Sequence, residues 1–208
     1  MTHSNQSNYR FFLLLLFRIL VFIGFLFIIT PFIISLFDST NSVVTDNNQY
    51  LTVKLADIKS GEIKKIKVGY IPVWIYKRRK NEIKQLESMA PFLTDPKSLV
   101  STQPVQLRTV YRSYDQYYFI FRPIESLKSC NIRYINQPDT KLALLLSENN
   151  ISWQGGFTES CYGSIYDLSG RVYQGTGNKE QKNLSVPEYT IQQGDVIQFE
   201  IKTMVMNN

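Results

Sequence analysis

Few side chains in this 208-residue chain could support chemistry that needs a histidine or a thiolate. The chain has one histidine, His3, and two cysteines, Cys130 and Cys161. A single histidine excludes any mechanism that needs a histidine pair. Its place in a polar N-terminal stretch also argues against a Ser/His or Cys/His catalytic site. Two cysteines are too few for a four-cysteine metal site within one chain.

The composition divides the chain into two unlike parts. Residues 11–37 hold almost no polar groups, whereas residues 51–208 hold all but two of the 23 Lys and Arg residues and all but two of the 17 Asp and Glu residues. The net charge of +6 therefore belongs to the second part. A freely soluble cytosolic protein is not expected. The absence of any internal repeat or heptad also excludes collagen, coiled-coil and solenoid architectures.

The apolar segment at residues 11–37 predicts a permanent membrane anchor. It is longer than the roughly 20 residues that a span requires, and no small-residue cleavage site follows it. We expect Arg18 to extend to the headgroups, and Pro31 to kink the helix or begin its exit. Arg10 and Arg18 lie at the N-terminal end, and no Lys or Arg occurs at positions 19–53. This asymmetry predicts a cytoplasmic N-terminus and a periplasmic domain.

The elements after the anchor predict a small all-β domain of antiparallel sheets with one short helix. Residues 38–49 are polar and aperiodic, so we expect a flexible tether. The alternation of apolar and polar residues predicts strands at 50–55, 63–68, 72–76, 117–121, 189–191 and 196–202. Helical spacing predicts a short helix at 80–89, while 141–146 is either helix or strand, and 153–177 is turn-rich. The layout is a tail at 1–10, the anchor at 11–37, the tether at 38–49 and the domain at 50–208.

A run of basic residues at 77–80 follows one predicted strand. We interpret it as a solvated turn, although contact with an anionic partner surface stays open. A domain outside the membrane is not expected to bind nucleic acid.

One stretch of the chain resembles a known family. Residues 155–175 read GGFTESCYGSIYDLSGRVYQG. This resembles the second cluster-binding segment of the Rieske iron–sulfur protein of ubiquinol–cytochrome c reductase, whose pattern is C-x-C-H-G-S-x-Y-D followed by S-G-R. The matching positions are Gly163, Ser164, Tyr166, Asp167, Ser169, Gly170 and Arg171. The NLSVPEY segment at 183–189 and the PVWI segment at 72–75 extend the resemblance to nearly the whole chain.

The resemblance fails at the family's cluster ligands. A Rieske centre holds one iron by two cysteines and the other by two histidines. In the first motif, C-x-H-x-G-C, Glu125 stands at the first cysteine and Leu127 at the histidine. In the second motif, Glu159 stands at the ligand cysteine and Tyr162 at the histidine. All four ligand positions are altered, so we predict that no 2Fe–2S cluster binds.

Other positions of the two motifs carry further expectations from the same resemblance. Cys130 and Cys161 match the pair that forms the family's disulfide, which implies this bridge here. Ser164 and Tyr166 match positions that hydrogen-bond the cluster in the family, and we expect them to support the fold of the loop instead. The family's Pro-rich cover loop is replaced by Gly-Thr-Gly-Asn-Lys at 175–179.

The altered residues raise the alternative of a new metal site. Glu125, Glu159 and Tyr162 would converge if the fold is kept, and hard oxygen ligands suit Ca²⁺, Mg²⁺ or ferric iron. Lys128 and Arg133 lie close in sequence and could instead pair with the carboxylates. We therefore predict no metal.

The resemblance implies a role in a respiratory complex. We predict a membrane-anchored Rieske-type subunit with cytochrome b-type and c-type partners and a structural or assembly function. Two alternatives stay open: an electron-transferring subunit of the reductase, and an envelope binding module independent of it. Residues 9–13 read YRFFL and resemble the export signal of bacterial Rieske proteins with one arginine missing. The family resemblance as a whole implies location in a bacterial inner membrane.

Overall fold

The structure, a computed structural model, describes residues 3–37, 44–46, 50–124, 129–192 and 195–201. The chain forms two compact units, Met1–Val43 and Val44–Asn208. Glu125, Leu127 and Lys128 lie outside the described residues, as does most of the predicted tether.

The first unit is one long helix, α1 (His3–Phe37). Its segment Arg10–Thr30 is long and apolar enough to cross a membrane. Most of the side chains of this segment are exposed, as expected for a helix whose surroundings are lipid or other helices. The helix continues past Pro31 to Phe37, so the proline does not end it. The second unit follows as a domain of short strands.

The described residues of the second unit form three antiparallel sheets and two short α-helices. One sheet has the order β1-β2-β10-β9, the second β3-β4-β5 and the third β6-β7-β8. The strands are β1 (Val44–Asp46), β2 (Tyr50–Lys54), β3 (Ile63–Val68), β4 (Ile71–Lys77), β5 (Tyr118–Phe121), β6 (Ile132–Ile135), β7 (Gly156–Glu159), β8 (Ile165–Tyr166), β9 (Thr190–Gln192) and β10 (Val196–Glu200). The helices are α2 (Lys80–Gln85) and α3 (Thr140–Glu148). This is the predicted architecture, a small domain of antiparallel sheets with few helices.

The element boundaries differ from the predicted ones where tertiary contacts, and not the local sequence pattern, determine where an element begins or ends. The predicted strand at 63–68 is β3 without change, whereas the helix predicted at 80–89 ends at Gln85. The segment left open at 141–146 is the helix α3, which begins after the N-cap Asp139, whose side chain accepts the N–H of Leu142. Strand β6 was not predicted, and the turn-rich stretch contains β7 and β8.

The central core is aromatic and lies between two of the sheets. Phe119 and Phe121 on β5 contact Phe157 on β7, with ring centroids 6.2 and 4.8 Å apart. Tyr76 on β4 meets Phe157 edge to face. All four side chains are buried. This packing holds β7, and therefore the loop that follows it, against the sheet β3-β4-β5.

The prediction that residues 77–80 form a solvated turn is wrong for Arg78, which is 1% exposed. Its guanidinium makes five hydrogen bonds, one for each N–H. The acceptors are the carbonyl oxygens of Tyr111, Gln116, Tyr118 and Leu168 and the hydroxyl of Ser169. A buried charge is tolerated when it is fully hydrogen-bonded. Arg78 thus joins β4 to segments far along the chain.

Two further buried arginines hold the segment 167–171. Arg112 donates to the carbonyl oxygens of Ser169, Gly170 and Leu184. Arg171 pairs with Asp167, whose carboxylate also accepts the N–H groups of Ser169 and Arg171. These contacts give the D-x-S-G-R part of the motif a role in the fold.

Burial changes the titration of two of these cations. Desolvation lowers the pKa of Arg78 to about 10 and that of Arg112 to about 9. Both guanidinium groups stack near the ring of Phe119, at 5.3 and 5.9 Å from its centroid. At neutral pH both remain charged, so their hydrogen bonds are charge-assisted.

Replacing one of these cations should strongly destabilise the domain. In Arg112→Met the carbonyl oxygens of Ser169, Gly170 and Leu184 lose the guanidinium as a donor, although Gly170 still accepts the N–H of Leu184. We expect the free energy of unfolding to fall by about 3 kcal/mol or more. Chemical denaturation of the purified protein measures this change. The exposed Arg108→Met is the matched control and should change stability by less than about 0.5 kcal/mol.

Candidate functional site

Two loops form the site that the sequence motifs indicate. The first lies between β5 and β6, and the second between β7 and β8. A disulfide joins Cys130 of the first loop to Cys161 of the second, as the family resemblance implied. Cys130 is buried, whereas Cys161 is exposed at the turn. The bridge fixes the two loops to each other.

The carboxylate of Glu159 lies at the centre of the second loop. Glu159 is the last residue of β7 and is 1% exposed. Its Oε1 accepts the backbone N–H groups of Tyr162 at 2.8 Å and Ser164 at 2.9 Å. Its Oε2 accepts those of Cys161 and, at 3.0 Å, Tyr162. Successive amides thus converge on one anion, as in a backbone nest.

The loop amides determine the charge state of this carboxylate. Burial raises the pKa of Glu159, but the backbone hydrogen bonds from Ser164, Tyr162 and Cys161 together lower it below its ordinary value. The group is therefore ionised at neutral pH. Its hydrogen bonds come from the backbone and not from Arg133, which we had considered as a partner. The other considered partner, Lys128, lies outside the described residues.

The remaining motif residues take different environments. The side chain of Tyr162 is 39% exposed, so its contribution inside the loop is its backbone N–H. Ser164 and Tyr166 are buried. The backbone carbonyl oxygen of Ser164 also accepts the backbone N–H of Glu159, so these two residues are hydrogen-bonded to each other in both directions. The expectation that Ser164 and Tyr166 support the fold of the loop stays a prediction.

The loop at 175–179 packs directly against the second loop. Gly177 has a φ of +58°, and a Cβ at this position would collide with Ser164. The hydroxyl of Thr176 accepts the N–H of Ile165 and donates to the carbonyl of Tyr173. Only glycine combines this backbone conformation with this close approach. The replacement of the Pro-rich sequence is therefore compatible with close packing of the loop.

The residues present do not fit a Rieske cluster. Such a centre requires two cysteines and two histidines, and here the two cysteines are bonded to each other. The one histidine of the chain, His3, begins α1 and lies in the other compact unit. The hydroxyl of Ser164, which in the family bonds the cluster, is buried without a hydrogen-bond partner among the described atoms. That hydroxyl alone does not supply a ligand to iron.

The geometry also argues against a simple metal site. Ligand atoms of Cys130, Glu159 and Cys161 lie within 4.8 Å of one another. However, the two sulfur atoms are used by the disulfide, and each oxygen of Glu159 already accepts two hydrogen bonds. A cation would have to displace these bonds. The predicted convergence with Glu125 falls on a residue that the structure does not describe.

The residues that support this site from the interior of the domain were not identified from the sequence. Arg112 fixes the segment after β8, but its partners there lie 57 to 72 positions away in the sequence. Glu82 is similar: its buried carboxylate accepts the hydroxyl of Tyr76 and the side chain of Arg79. The only sequence signal was the charge of these residues, which is typical of solvated surface as well.

Removing the charge of Glu159 should destabilise the domain at neutral pH. In Glu159→Gln three loop amides lose their anionic acceptor, and we expect a loss of about 2–3 kcal/mol in the free energy of unfolding. Because the folded-state pKa lies below the ordinary value of 4.5, the stabilisation is fully present above pH 4.5 and disappears as the pH falls through the folded-state pKa. The two proteins should therefore converge in stability in acid. Denaturation curves at pH 7 and at about pH 2 measure this convergence.

The matched control for this experiment is Glu188→Gln, at an exposed position of the same domain. It should leave stability within about 0.5 kcal/mol at both pH values. Equal stability of Glu159→Gln and the unmodified chain at pH 7 would contradict the role of the carboxylate.

Loss of the disulfide should destabilise the same loops through the unfolded state. The bridge closes a separation of 31 residues, for which chain entropy gives about 3.7 kcal/mol. We expect the Cys130→Ser/Cys161→Ser double variant to lose a stabilisation of this order, measured by denaturation. In the unmodified protein, an alkylating reagent should add no mass until a reductant is supplied. Alkylation of both thiols without reductant would show that the bridge is absent.

Comparison with known proteins agrees with the motif analysis. A ubiquinol–cytochrome c reductase iron–sulfur subunit of Allochromatium vinosum is 29% identical over 135 residues, which are 65% of this chain and 61% of that relative. The matched region thus spans less than two thirds of the relative's length. No protein-family model matches the chain. The sequence similarity and the antiparallel domain that follows the apolar helix support membership of this chain in the Rieske iron–sulfur protein family.

Proposed function

We propose that this protein is a membrane-anchored subunit that associates with a ubiquinol–cytochrome c reductase and acts there as a structural or assembly subunit. The name of the Allochromatium vinosum relative supports the association. The apolar segment Arg10–Thr30 of α1 supports the anchor. The partners are cytochrome b-type and c-type subunits, with the N-terminus in the cytoplasm of a bacterium and the domain in the periplasm.

One observation carries the structural role: a carboxylate replaces a cluster ligand and is already saturated. Glu159 stands at a family cysteine position, and its oxygens accept the loop amides. The loop therefore has an internal anion that keeps its shape without a bound group. The Cys130–Cys161 disulfide adds a covalent link between the two loops. Such a subunit contributes a binding surface and a membrane anchor, and it does not transfer electrons.

The relative's name favours a second candidate, an electron-transferring iron–sulfur subunit. The two candidates differ in one measurable property. An electron-transferring subunit would hold two irons in each chain and would give a Rieske spectrum on reduction. A structural subunit would have neither property.

We expect no cluster in the purified full-length protein. After reduction with dithionite, electron paramagnetic resonance should show no rhombic Rieske signal, and iron should be well below one atom in each chain. The reason is that the chain does not contain two cysteines and two histidines at the site. A rhombic signal with two irons in each chain would establish the electron-transferring candidate instead. An intact Rieske subunit purified in parallel is the positive control.

We place the main partner contact on α1. A cluster domain must dock reversibly to move electrons, but a subunit without a cluster has no such need. Gly24 lies within the apolar segment, and a Cβ there would meet no atom within 4 Å. A small residue at this position permits close approach of a partner helix.

The full-length variant Gly24→Leu should therefore lose association without losing its fold. We expect its co-purification with b-type haem in membrane extracts to fall by about tenfold, because a leucine side chain prevents close helix packing. Ile23→Leu is the matched control and should retain the haem protein. The tip variant Tyr162→Ala should also retain it. Loss on Tyr162→Ala with retention on Gly24→Leu would place the main partner contact at the tip of the domain and contradict its placement on α1.

A further inference from the structure

The hairpin of β3 and β4 carries a basic and aromatic face outside the site described above. Lys65 on β3 pairs with Trp74 on β4, and Lys67 pairs with Pro72. Because strand side chains alternate, Lys65, Lys67 and Trp74 lie on the same face of the sheet. Tyr70, at the turn of the hairpin, is 92% exposed. We call these four residues Lys65, Lys67, Tyr70 and Trp74 the hairpin face.

The charge of the hairpin is entirely positive. Positions 63–77 contain four lysines and no acidic residue. Lys65 and Lys67 are exposed, and the ammonium group of Lys65 lies 4.7 Å from the centroid of the Trp74 ring. The ammonium group of Lys65 and the ring of Trp74 thus share one surface, and the exposed Tyr70 adds a second aromatic ring at the turn of the same hairpin. A partner for this surface must be anionic and must also accept amphipathic aromatic rings.

Protection of a sheet edge explains only part of this pattern. Strand β3 lies at the edge of the sheet β3-β4-β5, and exposed lysines on an edge strand oppose pairing with other chains. However, Trp74 belongs to the middle strand, and Tyr70 belongs to the turn. Neither aromatic residue is needed to protect an edge. Tyr70 is 92% exposed and Trp74 is half-buried, so both offer ring surface beyond what edge protection requires, and this surface points to a ligand.

We propose that the hairpin face docks on anionic phospholipid headgroups. Trp and Tyr favour the boundary between headgroups and hydrocarbon, and lysines near a membrane are attracted to anionic lipids. The chain supplies the reason to choose lipid over an acidic protein. Six residues separate Phe37 at the end of α1 from Val44 at the start of β1, a length that spans at most about 25 Å. The bilayer that α1 crosses is thus an anionic surface always within reach, so even weak docking is populated.

This docking is independent of the proposed association with a reductase, and it is tested on the purified full-length protein alone. The protein is reconstituted in nanodiscs of phosphatidylcholine, or of phosphatidylcholine with about 30% phosphatidylglycerol, that contain lipids brominated near the headgroup. Bromine quenches nearby tryptophan fluorescence. The chain has two tryptophans, Trp74 and Trp153. Subtracting the signal of the Trp74→Phe variant isolates the contribution of Trp74.

We expect Trp74 to be quenched in the anionic discs and much less in the neutral ones. Raising the salt from about 0.1 M to about 0.5 M should reverse the quenching. In Lys65→Gln/Lys67→Gln the ratio of docked to undocked protein should fall by about 30-fold. The control Lys179→Gln/Lys182→Gln, which removes two exposed lysines elsewhere in the domain, should change the ratio by no more than about twofold.

Two results would overturn the proposal. One is quenching of Trp74 that is equal in neutral and anionic discs. The other is retention of the quenching in Lys65→Gln/Lys67→Gln with its circular dichroism unchanged. If the same double variant instead loses an acidic protein from membrane extracts while lipid docking is absent, the hairpin face binds protein and the lipid proposal is wrong.

Discussion

The carboxylate of Glu159 and the amides that converge on it form the interaction on which the tip of the domain depends. An ionised carboxylate buried to this extent requires compensation, and the loop provides it with the backbone N–H groups of Cys161, Tyr162 and Ser164. The same bonds satisfy the buried amide of Ser164 and the partly buried amides of Cys161 and Tyr162. The disulfide then joins this loop to its neighbour. A carboxylate and a covalent bond thus maintain a loop whose family form surrounds a metal cluster.

The D-x-S-G-R part of the motif has a physical role that does not involve a cluster. Asp167, Ser169 and Arg171 organise their own turn, and Arg78 and Arg112 hold that turn from beneath. Gly170 has a positive φ, and a Cβ there would collide with the ring of Phe119. These requirements belong to the fold. They explain why a chain would keep this segment whether or not a cluster binds.

The sequence predicted the parts of the fold that depend on local pattern. Alternation identified β3, and the long apolar run identified the helix that contains Arg10–Thr30. It did not predict β6, because Ile132–Ile135 alternates for only four residues and gains its pairing from β7. Burial of Arg78 was also missed. Its acceptors lie 33 to 91 positions away, and no local pattern distinguishes such an arginine from a surface one. The backbone nest around Glu159 was not predicted for the same reason, because the sequence does not indicate which backbone amides converge.

The pKa of Glu159 tests the account most directly. In purified protein labelled with ¹³C at glutamate side chains, the carboxyl carbon of Glu159 can be followed by NMR as the pH is lowered. The account predicts a titration midpoint below the ordinary value of 4.5, together with shifts of the amide resonances of Tyr162 and Ser164 at the same pH. A midpoint at or above 4.5, or amides that do not respond, would show that the loop does not fold around this carboxylate.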